Sequence, residues 1–193
     1  MPPVAFAVAG GLSRRMGRDK ALLPWGGTDL LGHALSRLGA VCPDVRILAG
    51  ARPRYEERGR PVLTDAAEGA GAMGGLLAGL EAATGPALLL AVDLPFVPAG
   101  LLARLLVLAE EADLAVPVSP GGPEPLCAVY GPACRAPVRR CVEAGRLKMT
   151  AFWPDVRVRR VGPDELAAFG DPARLFRNIN VPADYAGARG EPG

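Results

Sequence analysis

Val4-Ala5-Phe6-Ala7-Val8-Ala9-Gly10-Gly11-Leu12-Ser13-Arg14-Arg15-Met16-Gly17-Arg18-Asp19-Lys20 is the stretch on which the reading of this chain turns. It opens as a short apolar run with Val and Phe, the pattern of a buried strand, and empties into a loop holding three glycines, a serine, three arginines and a lysine. Glycine has no Cβ, so backbone N–H groups at Gly10, Gly11 and Gly17 can turn inward and meet an anion directly. Arg14, Arg15, Arg18 and Lys20 add positive charge beside them. A phosphate cradle is the expectation, and a solvated basic turn after an edge strand is the competing reading. Two familiar phosphate motifs fail on spacing: Gly17 is followed by Arg18, where the G-x-x-x-x-G-K-[ST] loop needs lysine, and G-x-G-x-x-G is absent.

Further apolar runs at 44–49, 87–92 and 113–118 read as strands, with a shorter one at 61–64 ending on Asp65. Their continuity suits a parallel sheet covered on both faces. Helical spacing separates them: Leu31, Ala34, Leu35 and Leu38, then Leu76, Leu80 and Ala83, then Leu101, Leu105 and Leu108. The alternation predicts a three-layer α/β/α, Rossmann-like fold with a mainly parallel central sheet. Ligands in such folds bind beyond the carboxyl ends of the strands, so the Gly10–Lys20 loop and Asp93 are expected on one rim. After Pro117 a turn-rich segment, 118–125, leads to a strand at 126–130 and a helix from about 132 to 144. The expectation is a single domain over 1–185, with a half at about 1–112, a further half at about 113–185, and a disordered tail at 186–193.

Composition narrows the class. Half the residues are hydrophobic and 22% are charged, as in ordinary globular proteins. No apolar stretch reaches the roughly 18 residues of a membrane span, and Met1-Pro2-Pro3 lacks a charged signal-peptide start, so a cytoplasmic protein is expected. A net charge of +2 and 5% aromatic residues argue against nucleic-acid binding. Cys42, Cys127, Cys134 and Cys141 form no C-x-x-C pair and are read as buried thiols. The single histidine, His33, lies inside an apolar helix and is read as structural.

The opening stretch matches L-A-G-G-x-S-x-R-M-G-x-D-K-A-L-L in all but its first residue, Val8, and so resembles nucleotidyltransferases that act on nucleoside triphosphates. More narrowly the chain resembles the molybdenum cofactor guanylyltransferases, through Gly74-Gly75-Leu76-Leu77-Ala78-Gly79, Val92-Asp93-Leu94-Pro95-Phe96 and Asn178-Ile179-Asn180-Val181-Pro182. The resemblance runs from about Val4 to Tyr185. It implies GTP and molybdopterin as substrates, Mg²⁺ as cofactor, pyrophosphate as by-product, and transient contact with molybdoenzymes or the molybdenum-insertion protein. It places the nucleotide on Val8, Ala9, Gly10, Gly11, Gly17, Lys20, Asp65 and Asp93, and the acceptor on Asn178 and Asn180 in the 113–185 half. The family's asparagine near the end of the second strand is missing, since this chain reads Leu48-Ala49-Gly50-Ala51-Arg52. Guanine is then left to backbone groups or to a residue outside the motifs.

Within that resemblance the chemistry is legible. Asp93 leaves an apolar strand just before Leu94-Pro95, and an acid beside a triphosphate requires a cation between them. Mg²⁺ suits the place because it shares one or two carboxylates with substrate phosphates; a turn or N-cap role for Asp93 is the alternative. For Asp65 a capping role competes with nucleotide contact. Lys20 and Arg15 neutralise the triphosphate as pyrophosphate leaves. Other functions fit part of the pattern: a cytidylyltransferase acting on the same pterin or another sugar- or alcohol-phosphate nucleotidyltransferase, and, in a different class, a non-catalytic nucleotide-binding regulator, which would have no need of Asp93.

Overall fold

The computed structural model describes residues 1–10 and 19–179. Gly11, Arg14, Arg15, Gly17 and Arg18, and at the other end Asn180 with the 186–193 tail, lie outside the described residues. Ten strands follow in chain order: β1 Val4–Val8, β2 Pro24–Trp25, β3 Thr28–Asp29, β4 Asp44–Leu48, β5 Val62–Leu63, β6 Ala87–Ala91, β7 Leu114–Ser119, β8 Gly122–Pro123, β9 Cys127–Tyr130 and β10 Val158–Val161. The longer helices are α1 Leu30–Gly39, α2 Gly71–Ala82, α3 Ala99–Leu108 and α4 Arg135–Glu143. The central sheet has the order β10-β7-β9-β6-β1-β4-β5, with β8 hairpinned onto β7, while β2 and β3 pair with each other. From β6 to β5 every pairing is parallel, and β9 runs antiparallel to both β6 and β7.

Alternation along the strands builds two cores. Ala5, Ala7 and Ala9 of the first strand segment, with Leu88 and Leu90 of β6, face the side covered by Leu30, Leu31 and Leu38 of α1 and Leu101, Leu102 and Leu105 of α3. Val4 and Phe6, with Ala87 and Leu89, face Met73, Leu76 and Leu80 of α2 and Val138 and Cys141 of α4. Small alanines on one face leave room for α1. On the other face Phe6 fills the space beside Gly79 of α2, where a Cβ would touch its ring at 3.6 Å. β6 is buried along its whole length, which accounts for its unbroken apolar run. This is the expected three-layer fold.

β10 and the β2–β3 hairpin escape the apolar pattern. β10, Val158-Arg159-Arg160-Val161, closes the sheet at one edge, pairing with β7 alone, and its two arginines mask it as a strand. The β2–β3 hairpin is too short to show periodicity. β9 was legible as a strand, but its insertion between β6 and β7 was not. Among the described residues no helix is long and apolar enough to cross a membrane.

Candidate active site

The parallel strands end in step. Val8 is level with Leu48 and Ala91, and Leu48 with Leu63. Gly10, Gly50, Asp65 and Asp93 each stand two residues beyond the end of their strand, so all four share one rim. Ladder-like bonds carry the pairing past the strands: Ala9 N–H donates to Leu48 O (2.9 Å), Val92 N–H to Val8 O (3.2 Å) and Asp65 N–H to Gly50 O (3.0 Å). Gly10 and Gly50 touch backbone to backbone, for a Cβ on Gly10 would lie 2.7 Å from Gly50 Cα. Gly50 also has φ +83°, a left-handed conformation that suits glycine.

Lys20 and Asp93, 73 residues apart, meet on this rim: Lys20 Nζ donates to Asp93 Oδ2 at 2.6 Å. Their side chains are only 21% and 16% exposed, so the pair is partly withdrawn from bulk water. Lys20 opens a single 3-10 turn, Lys20–Leu22, capped by Asp19, whose Oδ1 accepts from Ala21 N–H (3.1 Å). Asp93 leads into the turn before α3. The far end of the chain reaches the same place, because Ile179 N–H donates to Asp93 O (3.0 Å) and brings exposed Asn178 alongside. Asp65 sits against the start of α2. Gly75 and Gly74 leave the space it occupies: a Cβ on Gly75 would come within 3.4 Å of Asp65 Oδ1, and one on Gly74 within 3.2 Å of Asp65 Cβ. Burial holds the Asp65 carboxyl above the usual carboxylate range.

Sequence reasoning passed over four residues here. Glu124 is one: it lies in the turn that leads into β9, near enough to Asp93 for that charge to act on it. Ser119 Oγ donates to Glu124 Oε1 (2.7 Å), while burial and then the negative charge of Asp93 raise the Glu124 pKa. Asp19 is another: its Oδ2 accepts from Tyr55 OH (2.7 Å) and from Arg54 Nη1 (3.1 Å). Arg54 Nη2 in turn donates to Ala9 O (3.2 Å) and Ala49 O (3.1 Å), at the ends of β1 and β4. Asp19 lay within the opening motif without an assigned role. Arg54, Tyr55 and Glu124 carry no local signal, since each acts across strands whose pairing the sequence does not announce.

The histidine and the cysteines are structural. His33 Nε2–H donates to Pro95 O (2.9 Å), and its ring meets Trp25 edge-on at 6.3 Å. Trp25 in turn packs edge-on against Phe96 at 5.5 Å. The four cysteines are free and buried, and burial pushes the Cys42 thiol up to about 11 and Cys134 to about 12, so these two stay protonated. Among the described residues no three His, Cys, Asp or Glu gather as a cation site. A metal here would draw on the hard oxygens of Asp93, with Glu124 nearby, and complete its shell from phosphate. That donor set fits Mg²⁺, which takes one or two carboxylates together with substrate oxygens.

Residues 5–156 match the model of the MobA-like NTP transferase domain. The chain is 38% identical over 200 residues to the molybdenum cofactor guanylyltransferase of Mesorhizobium japonicum, covering 95% of this chain and 92% of that one. It is 34% identical over 183 residues to the probable molybdenum cofactor guanylyltransferase of Pelotomaculum thermopropionicum, covering 94% and 89%. Among solved structures it resembles molybdopterin-guanine dinucleotide biosynthesis protein A from Archaeoglobus fulgidus, with TM-score 0.81, 25% identity and 97% of each chain covered. The 2-C-methyl-D-erythritol 4-phosphate cytidylyltransferase of Thermus thermophilus shares the fold at TM-score 0.68 and 19% identity, covering 98% of each chain.

Proposed function

This chain belongs to the family of MobA-like NTP transferase domains, and from that premise we propose that it transfers GMP from GTP to the terminal phosphate of molybdopterin and releases pyrophosphate. The observation that carries the reading is the Lys20–Asp93 pair on the rim where the parallel strands end. A half-buried ammonium beside a carboxylate, next to a glycine-bearing strand end, is an arrangement suited to a polyphosphate and its counter-cation.

In this reading an oxygen of the acceptor phosphate attacks the α-phosphorus of GTP. A new P–O bond forms, the bond from the α-phosphorus to the bridging oxygen breaks, and its electron pair leaves with pyrophosphate. A phosphate monoester is anionic at neutral pH, so no protein base is required, in keeping with a site whose one nearby histidine is engaged with Pro95 O. Lys20 offsets charge on the β- and γ-phosphates, and Gly10 lets the backbone approach them; Gly11, Gly17 and Arg15 are assigned to the nucleotide by the sequence motif alone. Val8 and Ala9 line its floor, and Asp65 contacts the nucleoside. Asp93 would hold Mg²⁺, which would supply positive charge against the charge that builds on the phosphates as pyrophosphate departs. The acceptor is assigned to Asn178, with Asn180 by the sequence motif alone, and to the 113–185 half of a single domain working in the cytoplasm.

The test is pyrophosphate release with a molybdopterin acceptor and Mg²⁺, comparing GTP with CTP and the wild type with Asp93→Asn. GTP is expected to be preferred, and the variant to lose roughly 10²- to 10³-fold in turnover, the scale for removing one charge-stabilising group. Preference for CTP would move the chain to the cytidylyl class. Folded protein that binds GTP without acceptor-dependent release would make it a nucleotide-binding regulator.

A further inference from the structure

We propose that Arg54 and Tyr55 are positioning residues that act through Asp19 to hold Lys20 in place, an inference whose catalytic side rests on the nucleotidyl-transfer reading above. Lys20 carries a compact charge on a flexible stem, so its placement depends on the turn that bears it. That turn is capped by Asp19 Oδ1, and the other oxygen of the same carboxylate is gripped from the far side by Tyr55 OH and Arg54 Nη1. The Arg54 guanidinium simultaneously reaches Ala9 O and Ala49 O. One planar group therefore ties the Lys20 turn to the ends of β1 and β4, the two strands whose extensions, Gly10 and Gly50, touch on the rim.

The local backbone is shaped for this task. In an extended chain, neighbouring side chains point to opposite sides. Tyr55 instead has φ +73°, the one positive value at a non-glycine among the described residues. That left-handed kink lets consecutive side chains converge on a single oxygen, with the Arg54 guanidinium 5.0 Å from the Tyr55 ring centroid. A bulky residue adopts such a conformation only where its surroundings impose it, and such outliers cluster at functional sites. Tyr55 is buried, and burial together with the Asp19 charge raises its pKa, so the hydroxyl stays a donor to the carboxylate.

The chain has two lysines, Lys20 and exposed Lys148, and this supplies an internal reference. Amine acylation followed by mass spectrometry reads the Lys20:Lys148 labelling ratio independently of any enzymatic activity. The ratio is expected to rise roughly tenfold in Arg54→Met, and severalfold in the milder Tyr55→Phe, which keeps the buried ring. In the transfer assay, Tyr55→Phe and Arg54→Met are expected to lower kcat/KM for GTP about tenfold or more while leaving the acceptor KM unchanged, and to lose under roughly twofold in a Lys20→Ala background. An unchanged labelling ratio, or kinetic losses that multiply undiminished with Lys20→Ala, would overturn the proposal and leave the two residues as stitching between strands. If the wild type transfers nothing, the functional reading falls by itself and the labelling ratio still decides how Lys20 is held.

Discussion

Replacing Gly10 by alanine tests the rim at its tightest point. The new Cβ would lie 2.7 Å from Gly50 Cα and 2.8 Å from Gly50 N, and both neighbours are backbone, so no rotamer change gives relief. Reaching the 3.4 Å at which ordinary contact begins requires the two strand ends to part by about 0.7 Å. The Ala9 N–H to Leu48 O bond, 2.9 Å long, lies directly beneath and would be stretched out of hydrogen-bonding range by such a shift. Overpacking of this kind costs about 1–3 kcal/mol. Gly50→Ala carries the same clash, at 2.9 Å from Gly10 Cα, and adds the penalty of φ +83° for an L side chain, about 1–2 kcal/mol more. Gly39 at the end of α1 is the control, with nothing within 4 Å of its Cβ position and no left-handed φ, so alanine there should be neutral or stabilising by up to about 1 kcal/mol. Urea unfolding gives the free energies and titration with GTP the affinity, which should fall in both rim variants because Arg54 spans the same two strand ends. The reasoning is refuted if Gly10→Ala and Gly50→Ala unfold within about 0.5 kcal/mol of wild type, the range of ordinary surface changes.

Asp65→Asn should separate stability from binding. Burial raises the Asp65 pKa, so the native state holds more protons than the unfolded chain between the ordinary and raised values, and the penalty is complete above the raised one. The variant is therefore expected to be at least as stable as wild type at pH 7, yet to bind GTP about tenfold more weakly; unchanged GTP affinity would remove Asp65 from the nucleotide site. His33 predicts the opposite slope, because burial, with a smaller contribution from Arg37, lowers its pKa below the ordinary 6.5. The unfolded chain then binds the extra proton, so melting temperature should drop as pH falls from about 7 to 5, and His33→Gln should flatten that drop.

The features legible in the sequence are local ones. The unbroken apolar run of β6, the alternation around Phe6 and the leucine spacing of α1 and α3 are each written within about ten residues, because burial on a sheet or helix face constrains side chains at short periods. Strand ends followed by glycine or aspartate were equally visible, and the rule that parallel strands present their carboxyl ends together was enough to bring Lys20 and Asp93 to one rim. β10 was hidden because an edge strand with one partner tolerates arginine, which erases the apolar signal.

By itself, then, the chain determined the fold class, the glycine-rich strand end and the acid and base facing it, since backbone freedom and charge are properties of residues wherever they lie. Tertiary structure alone decided that β9 enters the sheet antiparallel and that Glu124 comes near Asp93, that Ile179 closes on Asp93 O, and that Arg54 and Tyr55 reach Asp19. Those contacts join segments 31 to 86 residues apart. Their partners are chosen by how helices and strands pack into layers, and no local pattern records that choice.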